Sequence, residues 1–147
     1  MLLAHKKSGE QALGRSRGGF STKIHVTVDG LGNPLRFGLT AGQRHDITQA
    51  ENLVTGFAFD RLIADRGYAA QDFVDWLVAQ GIEVVIPPHQ RAHNARDYDT
   101  WWYRERHLVE CFINKIKHFR RIFSRFEKLD RSYLGFLHFV GTLIWLR

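Results

Sequence analysis

Two short runs, KIHVTV (Lys23 to Val28) and LRFGLT (Leu35 to Thr40), flank the stretch DGLGNP. The first run alternates, with β-branched residues on one face, and the stretch between is made of turn formers. Together they predict a β-hairpin. A strand pair of such short range commits the chain to a sheet, and the remaining elements have to pack around it.

Downstream, strand and helix patterns alternate. Ile47, Leu53 and Val54 recur at near-helical spacing after a helix start at Asp46 or Thr48. RLIAD (Arg61 to Asp65) is a short apolar run that delivers a carboxylate at its end, as a buried strand does. AQDFVDWLVAQG predicts an amphipathic helix with Phe73, Trp76 and Leu77 on one face and Gly81 as its stop. IEVVIPP predicts another strand, closed by prolines. Two helices follow, Thr100 to Phe126 and Tyr133 to Leu146. The order β-β-α-β-α-β-α-α predicts a single α/β domain over residues 20–147. Residues 1–19 are basic, glycine-rich and poor in large apolar side chains, which predicts a loop or mobile arm. They do not match the phosphate-binding loop of NTPases.

Composition narrows the function classes. Of 147 residues, 44% are hydrophobic and 24% charged, which excludes a disordered chain. The net charge of +6 favours a polyanionic partner, nucleic acid first. Cys111 is the only cysteine, so there is no internal disulfide and no zinc site of paired cysteines, and a reducing cytosolic setting fits. It is expected to be small and half-buried. The apolar run from Tyr133 to Leu146 is too short to cross a bilayer and reads as a core helix, so no membrane partner is expected.

The segment WWYRERHLVECFINKIKHFRR carries one acid that stands out among bases. At 100° per residue, Tyr103, Arg106, Glu110 and Lys117 fall within an arc of about 60°, which Arg121 and Arg125 extend. Leu108, Val109, Phe112, Ile116, Phe119 and Phe123 lie opposite, on the face expected to be buried. The plain alternative is a solvated face with an Arg106–Glu110 pair at i, i+4. The shortage of acids suits instead a site where Glu110 holds a cation and the bases hold phosphates.

These four residues stand as Y-x2-R-x3-E-x6-K. The pattern resembles the signature around the catalytic glutamate of DDE insertion-sequence transposases, in the large group that includes the insertion-sequence-four and -five types. LIADRGY resembles that family's segment around the second catalytic aspartate. GRSRGGFSTKIHVTVDGLGNPLRFGLTAGQRHD and the C-terminal FRRIFSRFEKLDRSYLGFLHFVGTLIWLR resemble its flanking regions, so the similarity covers the chain from Gly14 onward.

The resemblance implies a ribonuclease-H-like mixed sheet flanked by helices. It implies DNA cleavage and strand transfer at element ends by three carboxylates holding Mg²⁺ or Mn²⁺, two ions in the intact enzyme. Asp65 matches the second aspartate and Glu110 the glutamate, as catalytic residues and metal ligands. Tyr103, Arg106 and Lys117 match the flanking signature, whose basic members are expected on DNA phosphates, and Arg121, which extends the same stripe, is a further DNA-binding candidate. Arg15, Arg17 and Lys23 of the basic arm and its edge are further candidates for tracking the backbone. The implied partners are element ends and target DNA, with a homodimer or an upstream-frame product as protein partner, in a bacterial cytoplasm on the nucleoid.

One element of that family is not found. Its first aspartate lies on the first, central strand, which should precede KIHVTV, yet residues 1–22 contain no aspartate. Asp29 sits in a turn stretch and is expected to serve the turn. The chain therefore reads as the C-terminal part of the catalytic domain, as a second-frame product or a remnant, inactive alone in strand transfer. Two other functions stay open: a non-catalytic DNA-binding or transposase-inhibiting module, and a metal-dependent nuclease. His45 and Asp46 suggest a site border and a helix cap. The i, i+4 pair His89 and His93 lacks further zinc ligands. Trp101 and Trp102 suit either core packing or base stacking.

Overall fold

The computed structural model describes residues 11–16, 19–89 and 96–147. The predicted hairpin is present and longer than expected. Strands β1 (Gly14–Ser16), β2 (Gly19–Val28) and β3 (Pro34–Ala41) form an antiparallel sheet in that order. Ile24 faces Leu39 and Val26 faces Phe37 across β2 and β3. Asp29 builds the turn: its Oδ1 accepts from the Leu31 and Asn33 amides, both at 2.9 Å, and Gly32 takes φ +83°. Desolvation of the Asp29 carboxylate is outweighed by these bonds, so its pKa is lowered. The end of the basic arm is thus not a loop, since Gly14–Ser16 pair with Gly19–Ser21.

The segment after β3 begins with a 3₁₀ turn, Asp46–Gln49, that leads into α1 (Ala50–Val54). Strands β4 (Arg61–Ile63) and β5 (Glu83–Val85) pair in parallel. Between them run a 3₁₀ turn, Arg66–Tyr68, and α2 (Gln71–Ala79), which Gly81 closes at φ +76°. These two strands form their own sheet, so among the described residues there are two small sheets rather than one.

The predicted helix from Thr100 to Phe126 is broken in two places. Asp99 caps α3 (Thr100–Tyr103), its Oδ1 accepting from the Trp101 and Trp102 amides at 2.8 and 3.0 Å. A 3₁₀ turn, Arg104–Arg106, then leads into α4 (His107–Lys117). Phe119 is extended (φ −82°, ψ 105°) and separates α4 from α5 (Arg120–Phe123). Helix α6 (Asp130–Trp145) crosses β3, where Gly141 lets it press against Phe37 and Pro34 and where Trp145 Nε1 donates to the Pro34 carbonyl at 2.7 Å.

Two apolar cores result. One joins Phe37, Phe112, Ile116, Ile122, Tyr133, Leu137 and Val140, with Ile24, Val26 and Leu39 packed against it. The other joins Ala50, Leu53, Val54, Ala69, Phe73, Leu77 and Ile86. Phe123 was expected on the buried face, but the break at Phe119 turns it out to 72% exposure. Cys111 is exposed rather than half-buried.

Candidate active site

A cleft of about 510 Å³ separates the two sheets. Consecutive residues of β2 (Lys23 to Val28) and of β4 (Arg61 to Ile63) line it, together with Leu108, Val109 and Ile113 of α4. Side chains alternate between the faces of a strand, so a wall of consecutive residues meets each strand edge-on. On β2 this is the edge away from β3; on β4 it is the edge away from β5. Apolar side chains make up most of the wall, and Lys23, Asp29, Asp46, Arg61, Asp65, Glu105 and Arg106 are its charged members.

Asp65 follows β4 after Ala64. It caps the turn Arg66–Tyr68, with Oδ1 accepting from the Gly67 amide at 2.8 Å, and is otherwise exposed. Asp46 reaches the same place from the other sheet's side. A methyl group on Gly67 would stand 2.8 Å from Asp46 Oδ2 and 2.9 Å from Asp65 Oδ1. Asp46 is not the helix cap expected of it: His45 takes that position without a side-chain bond, and Asp46 Oδ1 accepts from Lys23 Nζ at 2.9 Å. Lys23 also donates to the Arg44 carbonyl at 2.8 Å, so this predicted DNA contact is engaged within the fold.

Behind these carboxylates stands His25, 4% exposed on β2. Its Nδ1 meets the Tyr68 hydroxyl at 2.9 Å and its Nε2 meets Thr40 Oγ1 at 2.8 Å. Burial lowers the His25 pKa, with Asp46 raising it, Lys23 lowering it and Asp65 raising it to lesser degrees. Burial also raises the Tyr68 pKa well above the phenolic range, helped by the charges of Asp46 and Asp65.

Glu110 lies in the first turn of α4, outside the cleft wall, and accepts from Arg106 Nη2 at 2.5 Å. Arg106 does line the cleft, and its guanidinium is 5.7 Å from the Tyr103 ring centroid. Burial would lower the Arg106 pKa, but the Glu110 bond and the charges of Tyr103, Glu110 and Asp65 raise it overall. Arg106 thus stands in the field of both acids expected to be catalytic. Tyr103, Arg106 and Glu110 come together as the helical spacing predicts, and Lys117 is exposed farther along α4.

Arg121 and Arg125 leave the stripe at the break before α5. Arg121 is 66% exposed, 3.6 Å from Glu127. Arg125, at φ 36°, turns inward and donates to the Gln11 and Ala12 carbonyls and the Thr22 hydroxyl. Arg15 lies in β1 opposite Phe20; Arg17 and His93 fall outside the described residues, and His89 is exposed. Trp102 is half-buried beneath Arg61, whose guanidinium is 3.8 Å from its ring centroid, while Trp101 is 61% exposed. Sequence reasoning missed the convergence of Asp46 with Asp65 and the His25–Tyr68 contact. The signal was Gly67, whose missing side chain leaves room for both acids.

Among the described residues no three of His, Cys, Asp and Glu come together to hold a metal ion. The donors around Gly67 nevertheless have the right chemistry, since two carboxylates flank a notch that a methyl group would fill. Oxygen ligands of this kind suit a hard divalent cation. No helix among the described residues is long and apolar enough to cross a membrane.

Residues 3–141 match the family model of the transposase DDE domain. A Brucella ovis protein named as a candidate transposase for insertion sequence element IS6501 is 37% identical over 130 residues, covering 86% of this chain and 99% of the relative. A Burkholderia cepacia protein, named likewise for element IS402, is 31% identical over 150 residues, covering 94% of this chain and 68% of the relative. No solved structure matches.

Proposed function

Because the chain belongs to the DDE transposase family of insertion-sequence elements, we propose that it supplies two carboxylates, Asp65 and Glu110, to a metal-dependent site for DNA cleavage and strand transfer. The domain in this reading is ribonuclease-H-like. Its third carboxylate is an aspartate on a strand that enters the cleft between β2 and β4, supplied from outside these 147 residues. The observation that carries the reading is the cleft itself. Among the described residues two strand edges face it, and neither is hydrogen-bonded to the other sheet. Unpaired backbone N–H and C=O groups are costly to bury, and an entering strand would satisfy those on both edges. Asp65 lines this slot two residues past the end of β4.

The family uses divalent metal ions. Two Mg²⁺ or Mn²⁺ ions bound there would activate water and then a 3′-hydroxyl for in-line attack on a phosphodiester. Asp65 and Glu110 would hold them, with Asp46 beside Asp65 adding to the negative field. Glu110 has to exchange its Arg106 contact for the cation, which frees Arg106 toward a phosphate. Tyr103, Lys117, Arg121, Arg15 and Arg17 serve the DNA backbone, where contacts position without reading sequence. A homodimer or an upstream product is the protein partner.

The pairing of Glu110 with Arg106 favours a second reading for the chain by itself. With Glu110 neutralised and no three-ligand cluster among the described residues, these residues bind DNA without cutting it. A plasmid-nicking assay with Mg²⁺ separates the readings. The chain alone is expected to bind DNA and leave it intact, and fusion of an upstream strand bearing an aspartate is expected to restore nicking at element ends. Efficient nicking by the 147 residues alone would show a self-sufficient nuclease instead.

A further inference from the structure

We propose that His25 and Tyr68 are a positioning pair for Asp65, fixing the direction of its carboxylate at the mouth of the cleft. The inference rests on the reading of Asp65 as a metal ligand and assigns it a support that crosses from one sheet to the other.

Asp65 belongs to a short element. β4 has three residues, and the turn that follows, Arg66–Tyr68, has three more. The turn closes on Asp65 through the Gly67 amide on its side chain and the Tyr68 amide on its carbonyl, at 2.8 and 3.1 Å. These bonds fix Asp65 relative to its own turn and leave the turn to be fixed relative to β2. Tyr68 makes that connection. Its ring packs against the Ala50–Ile86 core while its hydroxyl reaches across to His25 on β2.

His25 is suited to receive it. A buried imidazole is costly unless both ring nitrogens are satisfied, and here both are, by Tyr68 and Thr40. Thr40 is itself buried on β3, so the anchor spans β2 and β3 of the three-stranded sheet. A hydroxyl can donate or accept, and an imidazole with one ring proton does both across its ring. Every link of the chain Tyr68–His25–Thr40 then has one proton to share, in either direction along it. Tyr68 and His25 act on the Asp65 carboxylate through the turn that carries it, and loss of such outer support weakens metal binding without touching the metal.

The test uses the full chain with Mn²⁺ as the probe. Affinity is read by electron paramagnetic resonance of the free ion, and folding by thermal midpoint, for the wild type and for Asp65→Asn, Tyr68→Phe, His25→Asn and His25→Gln. An asparagine amide overlays Nδ1 and can keep the Tyr68 bond; a glutamine amide overlays Nε2 and keeps only the Thr40 bond. Tyr68→Phe and His25→Gln are expected to weaken Mn²⁺ binding about tenfold to a hundredfold, with His25→Asn close to wild type. A purely structural role would rank the variants by thermal midpoint and leave Mn²⁺ affinity level. Tyr68→Phe binding as tightly as wild type, when Asp65→Asn does not, would overturn the pair alone. Wild type binding no tighter than Asp65→Asn would overturn the Asp65 reading and the pair with it.

Discussion

Asp46 and Asp65, on elements from opposite sides of the cleft, turn their carboxylates onto one point beside Gly67. Lys23 offsets part of the charge by bonding Asp46 on its far oxygen. Room for the pair comes from the glycine, because any side chain there would occupy the space between the two acids.

Gly67→Ala should therefore destabilise the chain by about 1–2 kcal/mol, the usual cost of forcing a methyl group into an occupied space. Removing one acid should make room for it. In urea denaturation, Gly67→Ala combined with Asp46→Ala is expected to cost less than the sum of the single changes. Strict additivity would mean that the acids do not meet there.

Glu110→Gln keeps the shape of the side chain and removes the charge that a hard cation needs. Divalent-ion affinity is expected to fall, and stability to change by only a few tenths of a kcal/mol, since the Arg106–Glu110 pair is solvent-exposed. Calorimetric titration with Mn²⁺ and a urea midpoint check both halves. Unchanged ion affinity would reduce Glu110 to a surface ion-pair partner.

Lys117→Ala should weaken DNA binding about equally for all sequences and flatten the plot of log affinity against log salt by about one unit. Arg125→Ala should leave that slope alone, because its guanidinium is spent on the Gln11 and Ala12 carbonyls. Fluorescence anisotropy over a salt series reads both. Equal slopes for Lys117→Ala and wild type would take Lys117 off the DNA face.

Burial holds the His25 pKa below its ordinary value of 6.5, so below that pH the unfolded chain binds the proton more readily than the folded one. The His25 contribution is present above the unfolded pKa and is lost as pH falls through the folded one. Wild-type stability should decline on acidification below about pH 6.5, more steeply than in His25→Asn. Denaturant melts at a series of pH values test it. Parallel curves would mean that the ring is accessible to water.

The parts of this molecule that local chemistry determines were readable in the sequence. The hairpin followed from alternation and from DGLGNP, and Asp29 serves the turn as expected. The Tyr103–Arg106–Glu110 face followed from helical spacing. The break at Phe119 was not readable, because nothing in KIKHFRR is a helix breaker; the helix stops where α6 has to fold back against β3. That break removed Arg121 and Arg125 from the stripe. Asp46 beside Asp65 was equally hidden, since it depends on how two distant loops close and leaves no periodic trace.

The two apolar cores draw on the chain very differently. The Ala50–Ile86 core is assembled from one unbroken stretch, whereas Phe37 meets Phe112, Tyr133 and Val140 only after the whole middle of the chain has been looped out. Closing a loop of that length costs about 4 kcal/mol of chain entropy, against about 3 kcal/mol to close the whole of the local stretch and less for its nearest contacts. We expect the middle stretch, with Asp65 at its rim, to gain protection first in pulse-labelled hydrogen exchange, while β2, β3 and α6 join later. Simultaneous protection of both would show a single cooperative unit. In folding order, the rim that carries Asp65 would be ready before the wall that faces it.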